Sequence, residues 1–131
     1  MIWSDTPRNA LMAHTVIFVY GTLKTGQSGN GKMAGQQFLG TATTMPLYRL
    51  YGLGWHPGLV RDTEHGLAIE GELWGVDDRA LALLDEYEGV PDWYGREPIA
   101  LQHHTGDCLA YFYKHEIPAG APTGSVWPFP A

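Results

Sequence analysis

The chain has 131 residues, a length that suits a single domain with one core. Its 14 acidic and 8 basic side chains leave a net charge of −6, which excludes the basic footprint of a nucleic-acid binder and makes an anionic membrane surface a poor partner. Cys108 is the single cysteine, so neither an internal disulfide nor a zinc site with two thiolates is possible.

Seventeen glycines and nine prolines argue for many turns and short elements rather than a helical bundle. No apolar run approaches the length of a membrane span. The first residues, Met1 to Asp5, lack the charged and apolar regions of a signal peptide, and a cytoplasmic location is expected. Residues 1–11 read as a flexible extension before the first element, with Met12 as an alternative start.

His14 to Tyr20 (HTVIFVY) predicts a central strand with Val16, Phe18 and Tyr20 on one face and Ile17 and Val19 on the other. Residues 24–37 are Gly-rich and polar, which predicts a mobile surface loop with a short helix near Met33. Strands are expected at Phe38–Thr43 and Leu47–Leu53, then a turn through Gly54-Trp55-His56-Pro57-Gly58 and a short strand at Leu59-Val60. Gly66 to Val76 alternates apolar and polar residues, which predicts a half-buried strand with a bulge at Gly71. Asp77 is a good N-cap for a helix through Glu88, with Gly89 as its C′ residue and Pro91 preventing continuation. Arg96–His104 and Cys108–Lys114 predict two strands joined by a Thr105-Gly106-Asp107 hairpin turn. Residues 118–131 should form an irregular tail, with Trp127 and Phe129 as candidate anchors. There is no repeat and no second-domain boundary. Many short strands and one clear helix indicate an α+β domain on a small curved or closed sheet.

On a helical wheel of about 100° per residue, Leu81, Leu84, Ala80, Tyr87 and Leu83 form an apolar arc. Asp78, Arg79, Asp85 and Glu86 lie opposite, whereas Glu88 falls between Leu84 and Leu81. A carboxyl there is costly to ionise, and its place at the helix C-terminus adds to that cost. Either Glu88 is a poised general acid/base, or it sits in a frayed last turn and reaches solvent. Tyr20-Gly21-Thr22-Leu23 follows the buried first strand. It is either an ordinary β-turn or a loop whose glycine and amide N–H groups admit an anionic ligand.

Taken together, Phe18-Val19-Tyr20-Gly21-Thr22-Leu23-Lys24 with Gly26, Leu84-Asp85-Glu86-Tyr87-Glu88-Gly89, and Pro91, Tyr94 and Arg96 form an ordered set that resembles the γ-glutamyl cyclotransferase family (AIG2-like). Glu70 to Trp74 and Ala110 to Tyr113 match in order and spacing, and the resemblance covers roughly residues 15–114. The Tyr-Gly-Thr-Leu-Lys form is closest to the γ-glutamylamine branch. One departure is Gly31 after Asn30, where that branch often has His. The resemblance implies a small mixed β-barrel with flanking helices, Glu88 as the catalytic carboxylate, and Tyr20, Gly21, Thr22 and Leu23 as the loop that holds a γ-glutamyl substrate. It implies release of 5-oxoproline and a free amine, without metal or organic cofactor. Tyr94 is expected either to close the pocket and touch substrate or simply to pack, and Arg96 to serve structure or an ion pair. The alternative function is a non-catalytic binding module of the same fold. Oligomeric state is not indicated.

Other patterns carry less. Gly26 to Lys32 fits G-x4-GK, but Met33 stands where a phosphate-binding loop needs Ser or Thr. The six histidines show no helical metal-ligand spacing. Cys108 reads as a small core residue. Glu70 and Glu72 read as a solvated or hydrogen-bonded face rather than a second acidic site.

Overall fold

A computed structural model describes residues 14–130, and the expected extension at residues 1–11 lies outside the described residues. Among the described residues, eight strands, β1 (Thr15–Val19), β2 (Gln37–Thr43), β3 (Tyr48–Gly52), β4 (Pro57–Arg61), β5 (Glu70–Val76), β6 (Tyr94–Pro98), β7 (Leu109–Tyr113) and β8 (Thr123–Gly124), are joined by one α-helix, α1 (Asp78–Glu88), and a 3-10 turn at Asn30–Met33. They form a five-stranded sheet, β2-β5-β1-β7-β6, and a three-stranded sheet, β4-β3-β8. The β1–β7 pair is parallel and every other pairing is antiparallel. The α+β expectation holds. The two sheets wrap a common core in a barrel-like way without a hydrogen-bonded closure between them.

The alternation read in β1 decides the packing. Phe18 and Tyr20 enter a cluster with Tyr48, Leu50, Leu59 and Ile69 between the sheets. Ile17 and Val19 enter a second cluster with Trp74, Leu84 and Tyr111 beneath the helix. A strand buried on both faces reads as a continuous apolar run because each face has its own core to fill.

The helix forms as its ends dictate. The Asp77 carboxylate accepts from the Ala80 N–H at 2.8 Å, satisfying one orphan donor of the first turn. Gly89 closes the other end at φ 72°, a left-handed conformation that favours glycine. Ala80 and Leu84 are buried, but Leu83 is exposed, so the apolar arc is narrower than the wheel implied. Asp85 binds the helix to the sheet. Arg96 donates twice to its carboxylate, at 2.9 Å each, and the Tyr111 hydroxyl donates to it at 2.7 Å. Arg96 is therefore an ion-pair residue.

Several expectations need correction. Gly71 is not a bulge: it stays in register opposite Ala42, and the irregularity falls in β2 between Phe38 and Gly40. A Cβ on Gly71 would lie 2.4 Å from the Val19 carbonyl oxygen, so this glycine serves strand packing. The strand of residues 66–76 starts only at Glu70, and its Trp74–Val76 end is buried on both faces rather than half-buried. The strand expected through His104 ends at Pro98, so there is no tight hairpin at Gly106. Residues 100–102, past the end of β6, instead turn away from the pairing with β7 and bond to the end of β2 and the residues after it, through Met45 N–H to Ala100 O and Gln102 N–H to Thr43 O. The short strand at Leu59-Val60 extends over all of β4. The tail is irregular apart from β8, and Trp127 and Phe129 do pack on the core.

Candidate active site

A cavity of about 740 Å³ opens where the two sheets and the end of α1 meet. The Tyr20–Leu23 turn forms its floor, Glu88 enters from the helix, and Tyr94 and Tyr111 enter from β6 and β7. The structure thus brings together every residue the sequence nominated: Glu88, Tyr20, Gly21, Thr22, Leu23 and Tyr94.

Glu88 projects inward, as its wheel position indicated. Among the described residues no donor lies within hydrogen-bonding distance of its carboxyl. Burial raises its pKa from 4.5 to about 7. That is the range in which a carboxyl both accepts and returns a proton near neutral pH. Burial is also the main cause that raises the phenols of Tyr20, Tyr94 and Tyr111, and the Glu88 charge adds to each. These rings stay neutral and act as walls and hydrogen-bond donors.

The turn is built by close approach. Gly21 lies against Pro57, and a Cβ there would come within 2.6 Å of the proline ring. The Thr22 carbonyl accepts from Gly29 N–H at 2.7 Å, and the Thr22 hydroxyl lies 2.9 Å from the Tyr87 hydroxyl, which ties the turn to α1. Asn30 donates to Leu23 O at 3.0 Å. Glu72 accepts from the Thr25 N–H, the Thr25 hydroxyl and the Trp74 indole, so it belongs to a hydrogen-bonded face, not to a second acidic site. The loop of residues 24–37 is thereby anchored at several points, and Met33 is fully buried. Among the described residues no acceptor takes the N–H of Gly21, Thr22 or Leu23. Three adjacent donors in a turn that lines a cavity suit an anionic oxygen.

Tyr94 has a second task. Its hydroxyl donates to Pro57 O at 2.9 Å and lies 2.9 Å from His56 Nδ1. With its one proton given to the carbonyl, the phenol accepts from His56 Nδ1–H. Tyr94 thus fixes the start of β4 against the turn. Cys108 is buried and its thiol is pushed up to about 12, as a small core residue.

Three walls escaped the sequence reading: residues 52–57, Trp93 with Tyr113, and residues 118–121 of the tail. Tyr113 lay within a matched stretch and residues 54–57 within an expected turn, but neither pattern shows which side chains face a cavity, and residues 118–121 reach it only through long-range folding.

The model of the "Gamma-glutamyl cyclotransferase, AIG2-like" family matches residues 17–127. The chain belongs to this family. A bovine gamma-glutamylaminecyclotransferase is 39% identical over 106 residues, covering 72% of this chain and 63% of its own. A Vibrio cholerae relative, provisionally named a gamma-glutamylcyclotransferase, is 38% identical over 102 residues, covering 78% of this chain and 86% of its own. The crystal structure of an AIG2-like protein from Mus musculus superposes with a TM-score of 0.78 at 27% identity, over 87% of this chain and 88% of that one. The chain thus spans less than two thirds of the bovine gamma-glutamylaminecyclotransferase. Its relatives favour the γ-glutamylamine branch of the cyclotransferases. No helix among the described residues of this cyclotransferase-family chain is long and apolar enough to cross a membrane.

Proposed function

We propose that this chain is a γ-glutamyl cyclotransferase that converts a γ-glutamyl amide into 5-oxoproline and a free amine. The observation that carries the reading is Glu88, a carboxyl without a hydrogen-bond partner among the described residues, raised to about 7 beside a turn whose amides are likewise unengaged there.

The α-carboxylate of the substrate would accept from the amides of Gly21, Thr22 and Leu23. Glu88 takes a proton from the α-ammonium group. The freed amine attacks the γ-carbonyl carbon, forming the ring C–N bond. As the tetrahedral intermediate collapses, the bond to the leaving nitrogen breaks, and Glu88 returns its proton to that nitrogen. The ring nitrogen passes its remaining surplus proton, through the freed Glu88 carboxylate, to the released amine, which departs as an ammonium ion. Closure of a five-membered ring is intramolecular, so holding the folded-back chain lowers much of the barrier. Tyr94 shapes the cavity wall in this scheme and keeps the turn in place through Pro57.

Glu88→Gln removes the proton acceptor with little change in size. A fall in 5-oxoproline release of about 100-fold or more is expected, measured by mass spectrometry on a γ-glutamylamine panel. Full activity in a folded variant would overturn the assignment. Binding of glutamate or 5-oxoproline by the wild type without turnover of any panel member would instead favour a binding module.

A further inference from the structure

The cavity is larger than a γ-glutamyl group requires, and its outer half has a chemistry of its own. Its volume lies in the range that holds drug-sized ligands. Two tryptophans line it yet remain largely exposed, Trp55 at 65% and Trp93 at 55%. Exposed rings of this size at a cavity mouth are surfaces for contact.

Neither ring hangs loose. The Trp93 main chain is fixed, its backbone N–H donating to Gly89 O at 2.8 Å and its carbonyl accepting from Lys114 N–H at 3.0 Å, and its ring packs at a tilt on His115 with centroids 4.2 Å apart. The Trp93 ring abuts Gly89, the residue after Glu88, where a Cβ would lie 3.2 Å from Cδ1. Trp55 packs on His56 at 4.4 Å, and His56 is bonded to Tyr94 beside Pro57 and the Gly21 turn. One ring therefore abuts the residue after Glu88, and the other is linked to the substrate turn through His56, Tyr94 and Pro57.

The remaining outer wall is Pro118-Ala119-Gly120-Ala121, which carries no charge. Among the described lining residues Glu88 is the one carboxyl, and none is Lys or Arg. Lys32 lies over the Tyr87 ring at 4.6 Å and Lys24 donates to Trp127 O, and neither is a lining residue of the cavity. Burial lowers the pKa of His56, which keeps its ring uncharged near neutral pH. A leaving group bearing a carboxylate would find no cation here. One bearing an ammonium would find no carboxylate beyond Glu88, leaving only weak contacts with exposed rings.

We propose that Trp55, Trp93 and the 118–121 segment form a leaving-group subsite for an uncharged aromatic or apolar amine. The proposal rests on the cyclotransferase reading above and narrows its substrate class to γ-glutamyl aryl- and alkylamides.

The test compares four synthetic compounds: γ-glutamyl phenethylamide, γ-glutamyl methylamide, the γ-glutamyl isopeptide of the lysine side chain, and γ-glutamylcysteinylglycine. With the wild type, kcat/KM should be about tenfold higher for the phenethylamide than for either charged compound. In Trp55→Ala and Trp93→Ala, the phenethylamide-to-methylamide ratio of kcat/KM should fall by about fivefold or more, chiefly through KM. A general structural defect would depress both amides alike and leave that ratio unchanged, which would overturn the proposal. Preference for a charged leaving group would overturn it too. If no compound yields 5-oxoproline, the cyclotransferase reading fails on its own. Calorimetric binding of the phenethylamide then decides: affinity weakened in both tryptophan variants would support the subsite, and unchanged affinity would sink it.

Discussion

At Glu88 the needs of folding and of proton transfer pull apart. Its folded-state pKa of about 7 stands above the ordinary 4.5, so the folded chain holds this proton more tightly than the unfolded chain. Below pH 4.5 both states are protonated and the residue costs nothing. The cost appears as pH rises from 4.5 and is complete above 7, reaching at most about 3 kcal/mol. Glu88→Gln should therefore be more stable than the wild type at pH 8, and the gap should close at pH 4 in urea titrations at the two values. In the wild type the acid limb of kcat/KM should fall near pH 7, since only the ionised carboxyl takes up the substrate's proton. A limb below pH 5.5 would mean the carboxyl is solvated. The position of this residue was legible because a helix has a fixed angular repeat, and one acidic side chain broke an otherwise apolar arc. The exposure of Leu83 at the edge of that arc shows the limit of the same argument. A wheel gives direction, but neighbouring elements decide how far around the helix burial extends.

Among elements, the turn and the helix depend on a few unusual contacts. Gly21→Ala would drive a methyl group against Pro57, a wall of the same cavity. We expect a several-fold rise in KM together with a loss of about 1–3 kcal/mol of stability, read from steady-state kinetics and urea melts. Asp85→Ala would strand Arg96 and the Tyr111 hydroxyl, both bound to its carboxylate. The pair is partly exposed, at 29% and 24%, so a loss of about 2 kcal/mol is expected rather than the larger cost of a fully buried pair. Strand β1 and helix α1 were legible from alternation and caps. The 99–108 connection was not. Its Thr-Gly-Asp signal marks a turn, but Pro98 and the competing pairing with β2 decide where the strand ends.

At the scale of the whole molecule, the tail completes the structure. Pro122 O accepts from Gly52 N–H, Ser125 O from Glu70 N–H, and Trp127 O from the Lys24 ammonium group. A chain ending at residue 117 would lose these bonds and the packing of Trp127 and Phe129. Its thermal midpoint should drop by several degrees, with a parallel loss of turnover, in a calorimetric scan of the truncated chain. The anchoring rings Trp127 and Phe129 were legible in the sequence, but the backbone bonds of a Pro/Gly-rich segment leave no local pattern, which is why the rest of the tail read as irregular.

The cavity walls come from residues 18–23, 52–57, 87–89, 93–94, 111, 113 and 118–121, a span of about one hundred positions. No contiguous fragment holds more than a part of them. Catalysis is therefore a readout of global cooperativity: loss of turnover and loss of the near-ultraviolet aromatic signal should trace one curve in urea, with no partly denatured yet competent species between them.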